Sequence, residues 1–198
     1  MAASDDINNR DPRTAGGWQP NYEPALLNSI LPPELCDAAV GIAAEVGFET
    51  SPVYHNTGHG DVPKFRRSES AWLAPEQAPE LYRYLTDTLN HLNNQRYRFA
   101  IYGMDQIQII KYVPGCFFVE HTDLGPGRAG NRKISLIVQL SDASDYTGGD
   151  VVLSDNSIVP KQRGSGCVFP SWTRHRVEEV TSGERYSLAA WARGTYFN

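Results

Sequence analysis

The segment His121-Thr122-Asp123 carries two metal-binding side chains separated by one residue. It ends a run rich in aromatic and β-branched residues, 117–122, which predicts a β-strand. Residues i and i+2 of a strand point to the same face, so the imidazole and the carboxylate can converge on one ion. Because such a short motif also arises by chance, a metal site needs a third ligand from elsewhere in the chain.

His175 is the candidate for that third ligand. It follows the segment FPSWTR and begins a predicted strand in the second half of the chain. Two histidines and one carboxylate are the ligand set of non-haem iron(II) oxygenases, which keep the other coordination positions open for a co-substrate and oxygen. The sequence therefore predicts that His121, Asp123 and His175 hold a metal.

A conspicuous arginine follows on the last predicted strand. The segment RYSLAAW begins at Arg185 and alternates, so Arg185, Ser187 and Trp191 are expected to share a face. If that face is the interior, the guanidinium needs an anionic partner, because a buried unpaired charge is costly. A planar guanidinium suits bidentate binding of a carboxylate, and the distal carboxylate of 2-oxoglutarate would meet that need.

The elements that must position these residues change in type along the chain. Apolar residues at helical spacing predict one helix from the Pro32-Pro33 pair to Gly47 and another over residues 79–93, with a short strand at 66–73 between them. Short β-rich runs separated by Gly and Pro turns follow, at 106–112, 117–122, 133–140, 150–153, 157–160, 166–169, 175–180 and 185–193. This order favours a mostly β fold with flanking helices, namely a double-sheet jelly roll.

Length and charge restrict the class of protein. The 198 residues suit one domain, predicted over 21–198, with a helical prelude at 21–98, a β core at 99–198 and a polar disordered tail at 1–20. A net charge of −5 argues against general nucleic-acid binding. One basic group, Lys64, Arg66 and Arg67, is either a solvated edge or a contact for an acidic substrate.

Hydropathy and cysteine usage favour a cytoplasmic protein. No stretch has the roughly 18 consecutive apolar residues of a membrane span, and the N-terminus lacks the apolar core of a secretory signal. Cys36, Cys116 and Cys167 are widely spaced and are expected to be reduced thiols. A reducing compartment also suits an enzyme that needs ferrous iron.

Taken together, three segments resemble the catalytic core of the iron(II)/2-oxoglutarate-dependent oxygenases, in their PKHD-type and prolyl 4-hydroxylase-like branch. They are HTD at 121–123, RKISLIVQLSDASDYTGGDVVL and GCVFPSWTRHRVEEVTSGERYSLAAW. The resemblance covers residues 106–198 most clearly and implies a distorted double-stranded β-helix, a cupin-like jelly roll. It implies that the triad binds Fe(II) and that Arg185 binds 2-oxoglutarate. Tyr112 occupies the place of a tyrosine that contacts 2-oxoglutarate in related hydroxylases, and Ser187 and Gln139 are expected on the same co-substrate side.

The resemblance also implies a reaction. It indicates hydroxylation of an unactivated C–H bond, with consumption of O2 and release of succinate and CO2. Desaturation, cyclisation or demethylation by the same cofactors stays open. A non-catalytic jelly-roll metal module and a cupin-type dioxygenase without 2-oxoglutarate are the rival readings, and Arg185 argues against both. No general base is required.

The substrate is left open between a peptidyl residue, a free amino acid and another small molecule. Glycine-containing loops at 54–65 and 124–131 are expected at the mouth of the site, where they can close over a substrate. The candidate substrate-contacting residues on and near these loops are His55, His59, Lys64, Arg128 and Trp191.

Overall fold

The computed structural model describes residues 19–51 and 62–197. The helices are α1 (Pro33–Val46), α2 (Val62–Phe65) and α3 (Pro79–Leu92), with a π-helical turn at Asn93–Tyr97 and a 3-10 turn at Gly127–Ala129. The strands are β1 (Ala25–Leu27), β2 (Glu49–Thr50), β3 (Arg66–Arg67), β4 (Glu69–Leu73), β5 (Ile101–Met104), β6 (Ile107–Tyr112), β7 (Phe117–His121), β8 (Arg132–Gln139), β9 (Tyr146–Gly148), β10 (Val151–Leu153), β11 (Gly166–Pro170), β12 (His175–Val177), β13 (Val180–Gly183) and β14 (Arg185–Gly194).

The strands form a large sheet, a smaller sheet and a two-stranded ribbon. The large sheet has the order β1-β11-β8-β14-β6-β4-β2, with β5 added along β14. The smaller sheet has the order β10-β12-β7-β3, and β13 pairs with β9. Apolar side chains of both sheets share one buried cluster, so the two sheets pack face to face. This arrangement confirms the predicted distorted double-stranded β-helix.

The outer face of the large sheet is covered by α1 and α3. Both helices have a proline in the first turn, where its missing N–H has no intrahelical partner to lose. The buried residues of α3 are Leu81, Leu85, Leu89 and Leu92, spaced three or four apart, which places them on one face. They join Leu136 and other outward-facing residues of the large sheet in a second apolar cluster.

Alternation along β14, a strand in the middle of the large sheet, separates the two clusters. Leu188, Ala190 and Ala192 lie in the cluster beneath the helices. Ala189 and Trp191 lie in the cluster between the sheets. The residues that sequence periodicity placed on one face of this strand therefore do face the interior.

Most predicted elements are confirmed, but the strands predicted at 66–73 and 175–180 are each divided into two strands that belong to different sheets, and the strand predicted at 157–160 is wrong. Residues 157–160 form only an isolated bridge, between Val152 and Ile158. The side chain of Asp155 accepts hydrogen bonds from the backbone and the hydroxyl of Ser157. Asn156 has a positive φ of 65°. These features fold the segment into a tight turn and leave no length for a ladder.

None of the helices in the described part of the chain is long and apolar enough to cross a membrane.

The packing of β11 against β8 is close enough to require glycine at position 166. A Cβ atom there would overlap the carbonyl oxygen of Ile137 on the neighbouring strand. We expect Gly166→Ala to lower the free energy of unfolding by about 1–3 kcal/mol, the usual cost of overpacking. Urea denaturation, monitored by circular dichroism, measures this change in the free energy of unfolding.

The matched control is Gly103→Ala on β5, where nothing lies within 4 Å of the added Cβ. We expect its effect to stay within about 0.5 kcal/mol. An equal loss in both variants would contradict the close approach of β11 and β8.

Candidate metal centre

The three predicted ligands meet where β7 and β12 pair. His121 ends β7, Asp123 follows it, and His175 begins β12, directly opposite His121 in the antiparallel register. One ligand atom from each residue can be chosen so that all three atoms lie within 4.8 Å of one another. Each Nε2 atom is 3.8 Å from an oxygen of Asp123. Strand pairing therefore brings together residues that are far apart in the sequence.

The second nitrogen of each imidazole is held by the backbone. Nδ1 of His121 lies 2.8 Å from the carbonyl oxygen of Val119, and Nδ1 of His175 lies 3.1 Å from that of Thr173. A carbonyl oxygen only accepts hydrogen bonds, so each Nδ1 carries the proton. Each Nε2 then presents its lone pair toward Asp123, as a metal ligand must.

The protonation states suit metal binding. Burial, with a further contribution from the neighbouring His175, lowers the pKa of His121 to about 4, so this imidazole is neutral at neutral pH. Burial alone would raise the pKa of Asp123. The two histidines and the hydroxyl of Ser135 outweigh it and hold the pKa of this carboxyl below its ordinary value. The neutral imidazole of His121 and the carboxylate of Asp123 are thus ready to bind a divalent cation.

A pair of serines supports Asp123. Ser135 on β8 hydrogen-bonds the carboxylate, and its Oγ lies 3.0 Å from Oγ of Ser171. Both serines are buried. The sequence analysis did not select them. The alternation of β8 placed Ser135 on the interior face, but nothing in the sequence placed Ser171 beside it.

A buried cation lies in the same interior. Arg185 is fully buried, and its Nη2 donates to Oε1 of Gln139 at 2.8 Å. Nη1 donates to Oγ of Ser187 at 3.3 Å, and the guanidinium carbon is 5.0 Å from the ring centre of Tyr112. No carboxylate pairs with Arg185 within residues 19–51 and 62–197. The structure thus brings together all four residues that the sequence analysis assigned to the co-substrate.

Several donors of this pocket have no partner. Nε of Arg185, Nε2 of Gln139 and the hydroxyl of Tyr146 are buried without a hydrogen bond. Since buried polar groups are normally satisfied, these donors are available to an anion with several acceptor oxygens. Tyr146 was not predicted, because it begins β9, a short ribbon strand that no periodicity marks.

Gly149 makes room for the arginine. Its φ is +64°, and a Cβ atom there would lie 2.9 Å from Cδ of Arg185 and 2.8 Å from Cγ2 of Val180. A side chain at this position would therefore displace the arginine stem as well as strain the backbone. Gly149 therefore lines the pocket that contains Arg185 and Tyr146.

The predicted substrate residues fall in different places. Trp191 lines the interior, with its indole N–H buried and unpartnered and the guanidinium carbon of Arg132 3.8 Å above its ring. Arg128 is exposed on the 3-10 turn, and Lys64 is exposed at α2. His55 and His59 lie outside the described residues.

Known proteins with similar sequences are oxygenases and hydroxylases. Residues 107–193 match the family model described as the 2OG-Fe(II) oxygenase superfamily. A PKHD-type hydroxylase of Parvibaculum lavamentivorans is 31% identical over 107 residues, which are 52% of this chain and 49% of that protein. Another from Acaryochloris marina is 35% identical over 86 residues, covering 42% of this chain and 39% of that protein. The chain spans about half the length of the first of these relatives and less of the second.

Solved structures share the fold. A Pseudomonas putida prolyl-4-hydroxylase superposes with a TM-score of 0.70 at 21% identity, covering 88% of this chain and 94% of that chain. The viral collagen prolyl hydroxylase of Paramecium Bursaria Chlorella virus-1, solved as a 2OG complex, gives 0.68 at 19% identity, covering 88% and 97%. A Trichoplax adhaerens prolyl hydroxylase, solved with a peptide fragment of a hypoxia inducible factor, gives 0.68 at 18%, covering 87% and 84%.

The serine pair provides a test of how Asp123 is oriented. We expect Ser135→Ala to weaken binding of Mn(II), used as a stable stand-in for Fe(II), by roughly 10- to 100-fold, the usual effect of removing a residue that orients a ligand. Isothermal titration calorimetry measures the affinity.

Ser165→Ala removes an equally buried serine, whose hydroxyl bonds only backbone carbonyls distant from the triad. Its Mn(II) affinity should stay at the wild-type value. Equal affinity in Ser135→Ala and wild type would show that Asp123 needs no support from Ser135.

Proposed function

We propose that this chain is an Fe(II)- and 2-oxoglutarate-dependent hydroxylase of the 2OG-Fe(II) oxygenase superfamily, on its PKHD-type and prolyl 4-hydroxylase-like branch. The observation that carries the proposal is the fully buried Arg185, which faces the same interior as the triad and has no carboxylate partner in the described part of the chain.

The donor set fits the metal. His121, Asp123 and His175 would hold Fe(II) and leave coordination positions open, as oxygen activation requires. A metal kept only for structure would normally have its shell filled by protein ligands. When bound, Fe(II) and 2-oxoglutarate use O2 to oxidise an unactivated C–H bond, with succinate and CO2 as the by-products.

The residues of the chain would bind and orient the co-substrate. Arg185, Gln139 and Tyr146 would hold the distal carboxylate of 2-oxoglutarate through the donors that have no partner in the protein. Tyr112 and Phe169 line the adjoining interior. This apolar lining excludes water and strengthens the charged contacts within it.

The substrate and the outcome belong to the proposal. We favour hydroxylation, because Asp123 completes the triad and the relatives are named hydroxylases. A peptide substrate is supported by the peptide-bound Trichoplax structure. Desaturation, cyclisation and demethylation would use the same residues. A cytoplasmic location is part of the proposal, because Cys36, Cys116 and Cys167 are unpaired thiols and the metal must stay ferrous.

An anaerobic titration tests the co-substrate assignment. Fe(II) and 2-oxoglutarate are added to the metal-free protein, and the visible absorption band of the chelate is followed. We expect Arg185→Ala to weaken 2-oxoglutarate binding by roughly 30-fold or more, since removing one partner of a buried charge pair costs about 2–5 kcal/mol. Asp123→Ala should lose the band with the metal.

Arg174→Ala is the matched control, since this arginine is next to His175 in the chain but exposed, with its charge paired to Glu120. It should keep the wild-type affinity for 2-oxoglutarate. A wild-type protein that binds Fe(II) tightly but shows no band with 2-oxoglutarate would refute the proposal, and a cupin-like oxygenase or a structural metal would replace it.

A further inference from the structure

A second buried arginine borders the metal centre and is not used by the proposed reaction. Arg66 on β3 is only 7% exposed, whereas its neighbour Arg67 is exposed. Nε of Arg66 donates to Oγ of Ser68 at 2.8 Å, while Nη2 is buried with no hydrogen-bond partner. No carboxylate pairs with it among the residues that the structure describes.

The position of Arg66 follows from strand pairing. Arg66 lies opposite Phe118 of β7, and its guanidinium carbon is 4.8 Å from the Phe118 ring centre. The same phenyl ring stacks on the imidazole of His121, with ring centres 3.5 Å apart. The guanidinium is therefore one aromatic ring away from a metal ligand.

The charge of Arg66 interacts electrostatically with two residues assigned to the cofactors, Tyr112 and Asp123. Burial lowers the pKa of Arg66, and the opposing influences that raise it come from Tyr112 and Asp123. Tyr112 also lies beneath the guanidinium of Arg185, at 5.0 Å. Arg66 and Arg185 thus border one interior, but they have different hydrogen-bond partners.

The charges of the cofactors and of the side chains that bind them indicate that Arg66 requires an anionic partner. A divalent iron with Asp123 and dianionic 2-oxoglutarate with Arg185 add up to no net charge, since histidines that ligate a metal are neutral. Another cation near Asp123, Arg132, is paired at 3.1 Å with Asp105, a carboxylate that it shares with Arg193. Arg66 then leaves a positive charge beside the metal centre that no carboxylate of the described residues compensates, and an anion that enters with the substrate would neutralise it.

We propose that Arg66 binds a carboxylate of the substrate, so that the enzyme acts on a carboxylate-bearing molecule, such as a free amino acid or the C-terminal residue of a peptide, rather than on the interior of a peptide. This inference rests on the proposed function. It names the substrate class of that site. A peptide carbonyl could accept from Nη2, but it would leave the charge uncompensated.

Nuclear magnetic resonance relaxation tests the proposal without turnover. The protein is loaded with paramagnetic Mn(II) and saturating 2-oxoglutarate, which occupies Arg185. The probes are acetate against acetamide, and L-proline against L-prolinamide, each pair in one sample. In the wild type we expect each acid to be relaxed about tenfold more strongly than its amide, because a hydrogen bond between two charged groups is stronger than one to a neutral amide.

Three variants locate the effect. Arg66→Gln should abolish the preference for the acids, and Arg66→Lys, which keeps the charge, should retain part of it. Arg67→Gln, the exposed neighbour on the same strand, should behave as wild type. Titration of the anaerobic absorption band should show that Arg66→Gln binds 2-oxoglutarate with the wild-type affinity. This result would also show that the site of the variant is folded.

The opposite outcomes overturn the inference. The first is equal relaxation of the acids and the amides in the wild type, and the second is an acid preference that persists in Arg66→Gln. The third is a loss of 2-oxoglutarate affinity in Arg66→Gln, which would assign Arg66 to the co-substrate. Absence of the iron–2-oxoglutarate band in the wild type refutes the proposed function itself. A normal band with no acid preference refutes only the substrate class.

Discussion

The burial of a positive charge on a central strand is the constraint on which much of this structure depends. Arg185 is fully enclosed, and removing a guanidinium from water is expensive unless hydrogen bonds and an anion replace the water. Gln139 and Ser187 supply the hydrogen bonds, and Gly149 leaves space for the arginine stem. The described residues of the protein supply no carboxylate partner for Arg185. The pocket therefore favours an anionic ligand, which can take the place of that partner.

The metal centre depends on a different constraint, the register of two strands. β7 and β12 pair so that His121 faces His175, and the register shifts immediately afterwards, between His175 and Val177. Carbonyl groups of the same two segments accept from both Nδ1 atoms. The backbone that places the imidazoles also fixes their tautomers, so one local fold determines both position and protonation.

The sequence predicted what short-range periodicity encodes. The i, i+2 spacing of His121 and Asp123 and the alternation of β14 each place side chains on a face without knowledge of the fold. The contacts that the sequence did not predict are those between residues far apart in the chain. Ser171 and Tyr146 reach the site through loops and a ribbon whose course no local pattern reveals. Arg66 was predicted to be either a solvated edge or a substrate contact, because burial of a short strand depends on its partner in space.

The strand at 157–160 failed for a local reason. Its residues have β-forming character, but the bonds from Ser157 to Asp155 close a turn that competes with the ladder. Short strands such as β1, β5 and β9 were missed for the converse reason. Their pairing is determined by the neighbouring strand, and their own composition carries little signal.

The two faces of β14 divide stability from function. Outward, Leu188 and Ala190 pack against the apolar cluster beneath α1 and α3, which stabilises the sheet. Inward, the same strand holds a cation without a carboxylate partner in the described residues, and the neighbouring sheet brings the two imidazoles and the carboxylate of the metal centre close together. Such sites reduce the stability of the protein that carries them, and binding of metal and co-substrate offsets that loss. The helical layer is therefore part of the functional design, because it lets the large sheet keep charged and polar groups in its interior before any ligand arrives.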